Sequence, residues 1–442
     1  MNLKMTSYFV LALLFVALLL LPGLAMAQAA DDAQASLQAL SLDQAQKLAI
    51  NNNAQLKAAA WSVKIAEDNL KEAKAGFLPT IVYSWTGNLT DPATPFPLAA
   101  NPLNASNFLC ATSVSANEIL YSGGKIRNSI KLAELKLASA QEDERKIKQQ
   151  VLYNVKDVYY RLWATEKMFV VTQNSYKNMD DHYQQVNKLY LAGSASKFDL
   201  LRAKVQCESF RPQMIQAQSN LDAVRLSLAS LIGLDSTQLF TTVIDPGQLN
   251  LPNKVELVES DLLNLAYQNR PEMRQMAQAV EIAKTNLEMA NAGFLPTLNL
   301  SAKYSGTTDL IVWKPNWTLT LNVTGTAYDG AASRARADNA RDNLKLIALR
   351  EQSLRDSIRL ELEQACQNIQ QSLDIIQTNQ SLINFSKETL KLTQNRFESG
   401  IATIIDIADA QLALDKILGG YYQGIASYLS ALAKLDLVTG ID

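Results

Sequence analysis

The side chains that could do chemistry in this chain are scattered. Its one histidine, His182, lies in a long helical stretch with no second ligand at metal spacing. Cys110, Cys207 and Cys366 are too few and too far apart for a disulfide framework and read as unpaired thiols. No nucleophile motif, phosphate-cradling glycine loop or pocketed carboxylate pair is present. The carboxylates that stand out do so by position, in the paired motifs Gly193-x-Ala195-x-x-x-Asp199 and Gly400-x-Ala402-x-x-x-Asp406. The chemistry there is structural: a glycine takes the left-handed conformation that ends one helix, and an aspartate sits against the N-terminal dipole of the next. No catalytic residue, metal or cofactor is expected, and the chain does not read as an enzyme. A net charge of −2 with no basic patch argues against nucleic acid as a partner.

Those motifs belong to a duplication. Ser41 to Thr80 aligns without a gap on Val258 to Thr297, with sixteen of forty positions identical, and both copies close on Ala-Gly-Phe-Leu-Pro-Thr. Beyond that block the shift between copies falls from 217 to 207 positions, so that Tyr121-Ser-Gly matches Tyr328-Asp-Gly and the Gly193 motif matches the Gly400 motif. The first copy therefore carries about ten extra residues between Thr80 and Tyr121, around the Pro-rich stretch from Asp91, and a length difference of this kind belongs in an exposed loop.

The N-terminus reads as a secretory signal, with Lys4 ahead of the charge-free run Tyr8 to Leu21 and a small-x-small site at Ala25-Met26-Ala27. A membrane anchor is the competing reading, but the apolar run is shorter than the roughly 18 residues a span requires. The organisation expected is a signal peptide over 1–27, a first structural repeat over 28–250 and a second over 251–442, each reading helix, two strands, long helix, helix.

From Lys125 to Tyr190 there is no proline, and Val155, Leu162, Phe169, Tyr176, Tyr183 and Tyr190 recur every seventh position. The second copy repeats the ladder as Leu362, Ile369, Ile376, Ile383, Leu390 and Phe397. This is a coiled-coil seam, and helices of that length run on the order of 100 Å at 1.5 Å per residue. Such a pair has no place in a compact core. Shorter helical stretches flank it at Leu42 to Ala75, Lys197 to Leu231, Ser260 to Ala292 and Thr403 to Leu435.

After Pro79 and Pro296, which mark breaks from helix to strand, the period switches to two. Leu298, Leu300, Ala302 and Tyr304 alternate with Asn299, Ser301 and Lys303; Trp317, Leu319, Leu321 and Val323 alternate with Thr318, Thr320 and Asn322. Ile81, Tyr83 and Trp85 begin the same pattern in the first copy, followed by a strand from about Phe108 to Ile119. One face is apolar and the other hydroxyl-rich, with Trp85, Tyr304, Trp313 and Trp317 expected near the strand ends. That pattern fits a membrane barrel, and because four strands cannot close one, oligomerisation is required; three copies would give twelve strands around a Ser/Thr/Asn-lined lumen. The fold class is thus an α+β membrane protein: a long α-helical coiled-coil barrel plus a transmembrane β-barrel completed by trimerisation, four strands per protomer.

The signal peptide, the duplicated helix-strand-strand-helix units, the two Gly-Phe-Leu-Pro-Thr blocks, the Tyr-[Ser/Asp]-Gly strand exits and the paired glycine turns together resemble the TolC family of outer membrane efflux proteins. The resemblance covers nearly all of the mature chain. It implies a homotrimer in the bacterial outer membrane, in contact with its lipid and extending into the periplasm, coupled to an inner-membrane transporter through a periplasmic adaptor protein. The implied function is an exit duct for small amphipathic compounds. An outlet for one-step protein secretion is the alternative within the same fold, and a non-conducting periplasmic coiled-coil scaffold is the alternative outside it. Carried onto this chain, the resemblance puts Leu89 to Ser106 and Ser305 to Asn316 outside the cell. It puts the turns Gly193, Ala195, Gly400 and Ala402 at the periplasmic tip where adaptors dock, and Asp181 and Glu388 in an acidic ring near that tip. An ordinary solvated helix face is the other reading of those two acids.

Overall fold

A computed structural model describes residues 38–89, 108–234, 240–244, 258–309 and 312–441. The expected signal peptide, most of the first outer loop and the border between the two repeats lie outside the described residues.

Two helices of 67 residues dominate, α3 (Lys125–Leu191) and α7 (Ala332–Glu398). Each turns back through a helix of 36 residues, α4 (Lys197–Ile232) and α8 (Ile404–Thr439). The hairpins α3–α4 and α7–α8 pack against each other mainly through α3 and α8. The sevenfold ladder is the reason. Val155, Leu162, Leu362, Ile369 and Ile376 are at most 2% exposed; Phe169 is partly buried against the cluster of Val155 and Leu162, and Tyr176 and Tyr183 against a second cluster nearer the free end that includes Met179 and Leu390. At the free end the seam opens, and Tyr190 is 37% exposed.

The flanking helices are broken where single runs were expected. Leu42 to Ala75 divides into α1 (Leu42–Asn52) and α2 (Ala54–Ala75), and the second copy into α5 (Glu259–Asn269) and α6 (Pro271–Asn291). In the second copy the cause is Pro271, which has no N–H to donate and holds Arg270 extended at ψ 131°. In the first, Asn53 interrupts the helix by accepting with its own side chain from the N–H groups of Gln55 and Leu56. Each break receives the end of a hairpin. Gly233 (φ 68°) and Gly440 (φ 72°) close α4 and α8, and a Cβ on them would lie 2.6 Å from Asn52 Cβ and 2.8 Å from the Arg270 nitrogen. In the second copy Arg270 is also clamped by Glu272 at 3.2 Å and Glu361 at 2.8 Å.

Midway along α3, an element the sequence did not announce crosses the helices. β1 (Gln38–Leu40) pairs in parallel with β4 (Phe240–Thr242), drawing the start of the described chain beside the segment that follows α4. Side chains on one face of α3 fasten it. Tyr159 Oη donates to Leu40 O at 2.8 Å and accepts from Val243 N at 3.0 Å, Trp163 Nε1 donates to Ile244 O at 3.2 Å, and Glu166 accepts from the N–H and hydroxyl of Thr242. The spacing of four and three residues puts all three on one helical stripe.

The remaining strands, β2 (Thr80–Leu89), β3 (Phe108–Tyr121), β5 (Thr297–Asp309) and β6 (Val312–Thr324), form one antiparallel sheet in the order β2-β3-β5-β6. Ser305 to Asn316 is therefore not an outer loop. Pairing runs on to Asp309 opposite Val312, since Thr307, Thr308 and Trp313 suit extended backbone and leave only 310–311 between the strands.

A buried polar knot joins the hairpins. Asp415 Oδ1 on α8 accepts from Ser175 Oγ on α3 at 2.7 Å and from Gln411 Nε2 at 2.8 Å, while its other oxygen is buried without a partner. Burial pushes the Asp415 carboxyl above the usual carboxylate range, against the smaller opposing effect of those hydrogen bonds. Because the folded-state value is raised, the stabilisation is fully present below the ordinary aspartate range and is lost as pH rises through the folded value. Asp415→Asn should accordingly flatten the fall in thermal stability on going from about pH 4 to pH 7, measured on detergent-purified protein; parallel pH profiles of wild type and variant would refute a titrating Asp415.

Candidate channel-forming site

The sheet's register builds two chemically opposite faces. On one, Tyr83, Val114, Tyr304 and Trp317 stand in a single row across all four strands, with Trp85 one pair further out. Below that row lie Ala302 opposite Leu319, Leu300 opposite Leu321 and Leu298 opposite Val323. Trp317 is 75% exposed and Leu321 60%, so nothing among the described residues covers this face. Trp85, Tyr304 and Trp317 do not sit at the strand ends as the sequence suggested, whereas Trp313 is the second residue of β6. The first three form a band part-way up, because the strands run on beyond them; the side chain of Trp313 lies outside the described residues. A second set, Phe77, Tyr121, Phe294 and Tyr328, is exposed at the helical end of the sheet. From the Leu298 row to the Tyr304 row is about 20 Å at 3.4 Å per residue. Two aromatic belts about an apolar band is the pattern of a sheet that meets lipid.

The opposite face carries a hydroxyl ladder. Ser84 and Ser113 hydroxyls bond at 2.7 Å, and Ser301 Oγ donates to Asn117 Oδ1 at 2.7 Å. Rows such as Thr80–Asn117–Ser301–Thr320 continue it across the sheet. Glu118 departs from the alternation. It opposes Leu300 near the helical end, after which a register shift between Ile119 and Tyr121 sets Tyr121 opposite Leu298. Pro79 and Pro296 stand immediately before the first residues of β2 and β5.

The tip lies at the far end of the long helices. Gly193 has φ 76°, with Ser194 N–H donating to Leu189 O at 2.8 Å and Gly193 N–H to Tyr190 O at 3.0 Å. Gly400 has φ 74°, with Ile401 N–H on Arg396 O at 2.8 Å and Gly400 N–H on Phe397 O at 2.9 Å. Both are left-handed terminations that satisfy the last carbonyls of their helices. Ala195 and Ala402 follow, one residue ahead of the caps Ser196 and Thr403. Asp199 and Asp406 are the third residues of reciprocal capping boxes, accepting the N–H of Ser196 at 3.1 Å and of Thr403 at 2.6 Å. The Ser196 hydroxyl and the Thr403 N–H, respectively, contribute most to holding those carboxyls below the usual range. Asp181 and Glu388 are exposed on α3 and α7, twelve residues before their glycines. His182 packs edge-on against Phe397 at 6.1 Å, and burial holds its imidazole below the ordinary value. Among the described residues no three His, Cys, Asp or Glu side chains gather as a metal site, and no helix is long and apolar enough to cross a membrane.

A four-stranded, two-faced sheet standing on paired helices about 100 Å long defines a class of protein: one segment of a composite duct with a membrane end and a helical stem. The chain belongs to the outer membrane efflux protein family, whose pattern matches residues 45–234 and 262–440. It is 22% identical over 387 residues to the pyoverdine export outer membrane protein OpmQ of Pseudomonas putida, covering 84% of this chain and 80% of that one. It is 21% identical over 392 residues to the cation efflux system protein CusC of Escherichia coli, covering 83% and 78%. Its fold is similar to the Campylobacter jejuni CmeC outer membrane channel, with a TM-score of 0.77 at 16% identity over 90% of this chain and 85% of that one. The chain is an outer membrane efflux channel of TolC-like fold.

The two faces are separable by mutation. Leu321→Arg puts a charge on the lipid side between the two aromatic belts, at a cost of roughly 2–4 kcal/mol near the midplane, and should prevent stable insertion into outer membrane fractions; Trp317→Arg, in the belt itself, should impair it less. Thr320→Arg, on the hydroxyl face, should insert normally. Equal amounts of Leu321→Arg and Thr320→Arg in the membrane would refute the assignment of faces.

Proposed function

We propose that three copies of this chain close a twelve-stranded barrel over a shared helical stem, and that this duct passes small amphipathic compounds out of the cell. The observation that carries the reading is the sheet: four strands with an uncovered apolar face, a hydroxyl-lined face and two unpaired edge strands, β2 and β6. Such a sheet is stable in a membrane only when closed. The hydroxyl face then lines the lumen, offering weak hydrogen bonding to many cargoes without a pocket that would hold one. Relatives named for pyoverdine, toluene, antibiotics and cations fit an exit that leaves cargo choice to another component.

That component, in this reading, is an inner-membrane transporter joined through a periplasmic adaptor. The adaptor would engage the tip turns around Gly193–Ala195 and Gly400–Ala402, whose helix-ending carbonyls are satisfied within the chain. Asp181 and Glu388 would supply acidic groups near the entrance. The boundary between the two structural repeats would fall near residue 250, and the leader over 1–27 would be removed on export.

Loss of this chain should raise intracellular accumulation of a panel of dyes and antibiotics, with restoration by the gene. Unchanged accumulation across a chemically broad panel, in a strain where the chain is expressed and its trimer is present, would overturn small-molecule export.

A further inference from the structure

Lys303 places a charge in the middle of the lumenal face, where Lys314, opposite Thr307, and Asp309 hold positions on the same face further out. It stands in the row Val82–Ser115–Lys303–Thr318, between the rows Thr80–Asn117–Ser301–Thr320 and Ser84–Ser113–Ser305–Asn316. None of the other residues in these three rows is charged, Lys303 is exposed, and it is in no ion pair among the described residues. Glu118, the nearby carboxylate of β3, is on the opposite face, opposite Leu300. A lysine on a hydroxyl-lined wall without a counter-charge sets up a positive potential in the lumen.

We infer that Lys303, repeated by the threefold symmetry of the proposed trimer, forms a girdle that binds the anionic groups of cargo, such as phosphate, sulfonate or carboxylate, in the membrane section of the duct. This deepens the exit-duct reading and rests on it. Twelve strands about 4.8 Å apart, tilted by about 40°, put the barrel wall roughly 12 Å from the axis. An extended lysine carries its ammonium about 6 Å inward, so each charge lies roughly 6 Å from the axis, inside the Debye length of about 8 Å at physiological salt. Three such charges, screened and in water, enrich a monovalent anion at the axis on the order of fivefold, and a polyvalent anion far more. Rings of basic side chains select anions in other pores by the same physics. The acids Asp181 and Glu388 are far down the helical stem, many Debye lengths away, so the two ends act independently.

The experiment uses the full-length trimer in a planar bilayer, with inorganic tripolyphosphate added on the outer side, where it reaches the barrel without passing the tip. Wild-type channels should be blocked in a voltage-dependent, salt-sensitive manner. Lys303→Met should raise the blocking concentration at least tenfold, Lys303→Arg should preserve it, and Lys303→Glu should abolish block and shift the reversal potential in a KCl gradient toward cations. Asp181→Asn should leave the block unchanged. Conducting trimers blocked equally in wild type and Lys303→Met, or not blocked at all, would overturn the anion girdle while leaving the duct intact. Wild-type protein that forms neither trimers nor conducting channels would overturn the duct itself, and the girdle with it.

Discussion

A backbone N–H or C=O left unpaired in hydrocarbon costs several kcal/mol, and this chain carries two sheet edges full of them. Among the described residues, β2 and β6 each have a partner on one side only. The outward face beside them is too apolar for water, with Trp317, Leu319, Leu321 and Val323 each at least 60% exposed. Membrane insertion and assembly are therefore one problem. The strand directions permit a single repeated solution, in which β6 of one copy runs antiparallel to β2 of the next until the ring closes. The rest of the molecule is arranged around that requirement.

The helical stem meets it from below. Two hairpins of matched lengths, 67 and 36 residues in each repeat, continue directly from β3 and β6, while α2 and α6, packed on the long helices, lead into β2 and β5. Their seam is a heptad ladder buried from Val155 to Leu162 and from Leu362 to Ile376, and the ends of α4 and α8 seat in the breaks at Asn53 and Arg270 through glycines that tolerate no side chain. The parallel pair β1–β4, pinned by Tyr159, Trp163 and Glu166, belts the stem midway. At the tip, left-handed glycines and capping boxes satisfy the helix ends within the chain, which lets a turn stand far from any core.

Much of this was legible in the residues because duplication states each rule twice. The ladder beginning at Val155 and its copy at Leu362 gave the long helices, and the alternation from Leu298 gave the strands and their faces. Both breaks were missed: the one at Arg270-Pro271 had a local signal, since proline restricts the residue before it, whereas the one at Asn53 had little, because asparagine caps a helix only when its neighbours leave the side chain free to bond. The length of β5 and β6 was underestimated, since Thr307 and Thr308 suit a strand and a turn about equally until pairing with Trp313 and Lys314 decides. The β1–β4 belt left no local signal: three-residue strands far apart in sequence are fixed by side chains of α3, and tyrosine, tryptophan and glutamate in a long helix look like any others. The knot at Asp415 was hidden for the same reason, because only the crossing of α3 and α8 brings Ser175 and Gln411 to it.

The most direct test is whether β2 of one copy pairs with β6 of another. With the native cysteines replaced, Ser84→Cys combined in turn with Asn316→Cys, Thr318→Cys or Thr320→Cys puts one thiol on each edge, both on the lumenal face. Within one chain these edges are three strand spacings apart, about 14 Å and beyond disulfide reach. One of the three pairs, oxidised in outer membranes, should yield covalent dimers and trimers and nothing larger. Monomers alone from every pair, or a ladder running past three, would contradict a closed trimeric barrel.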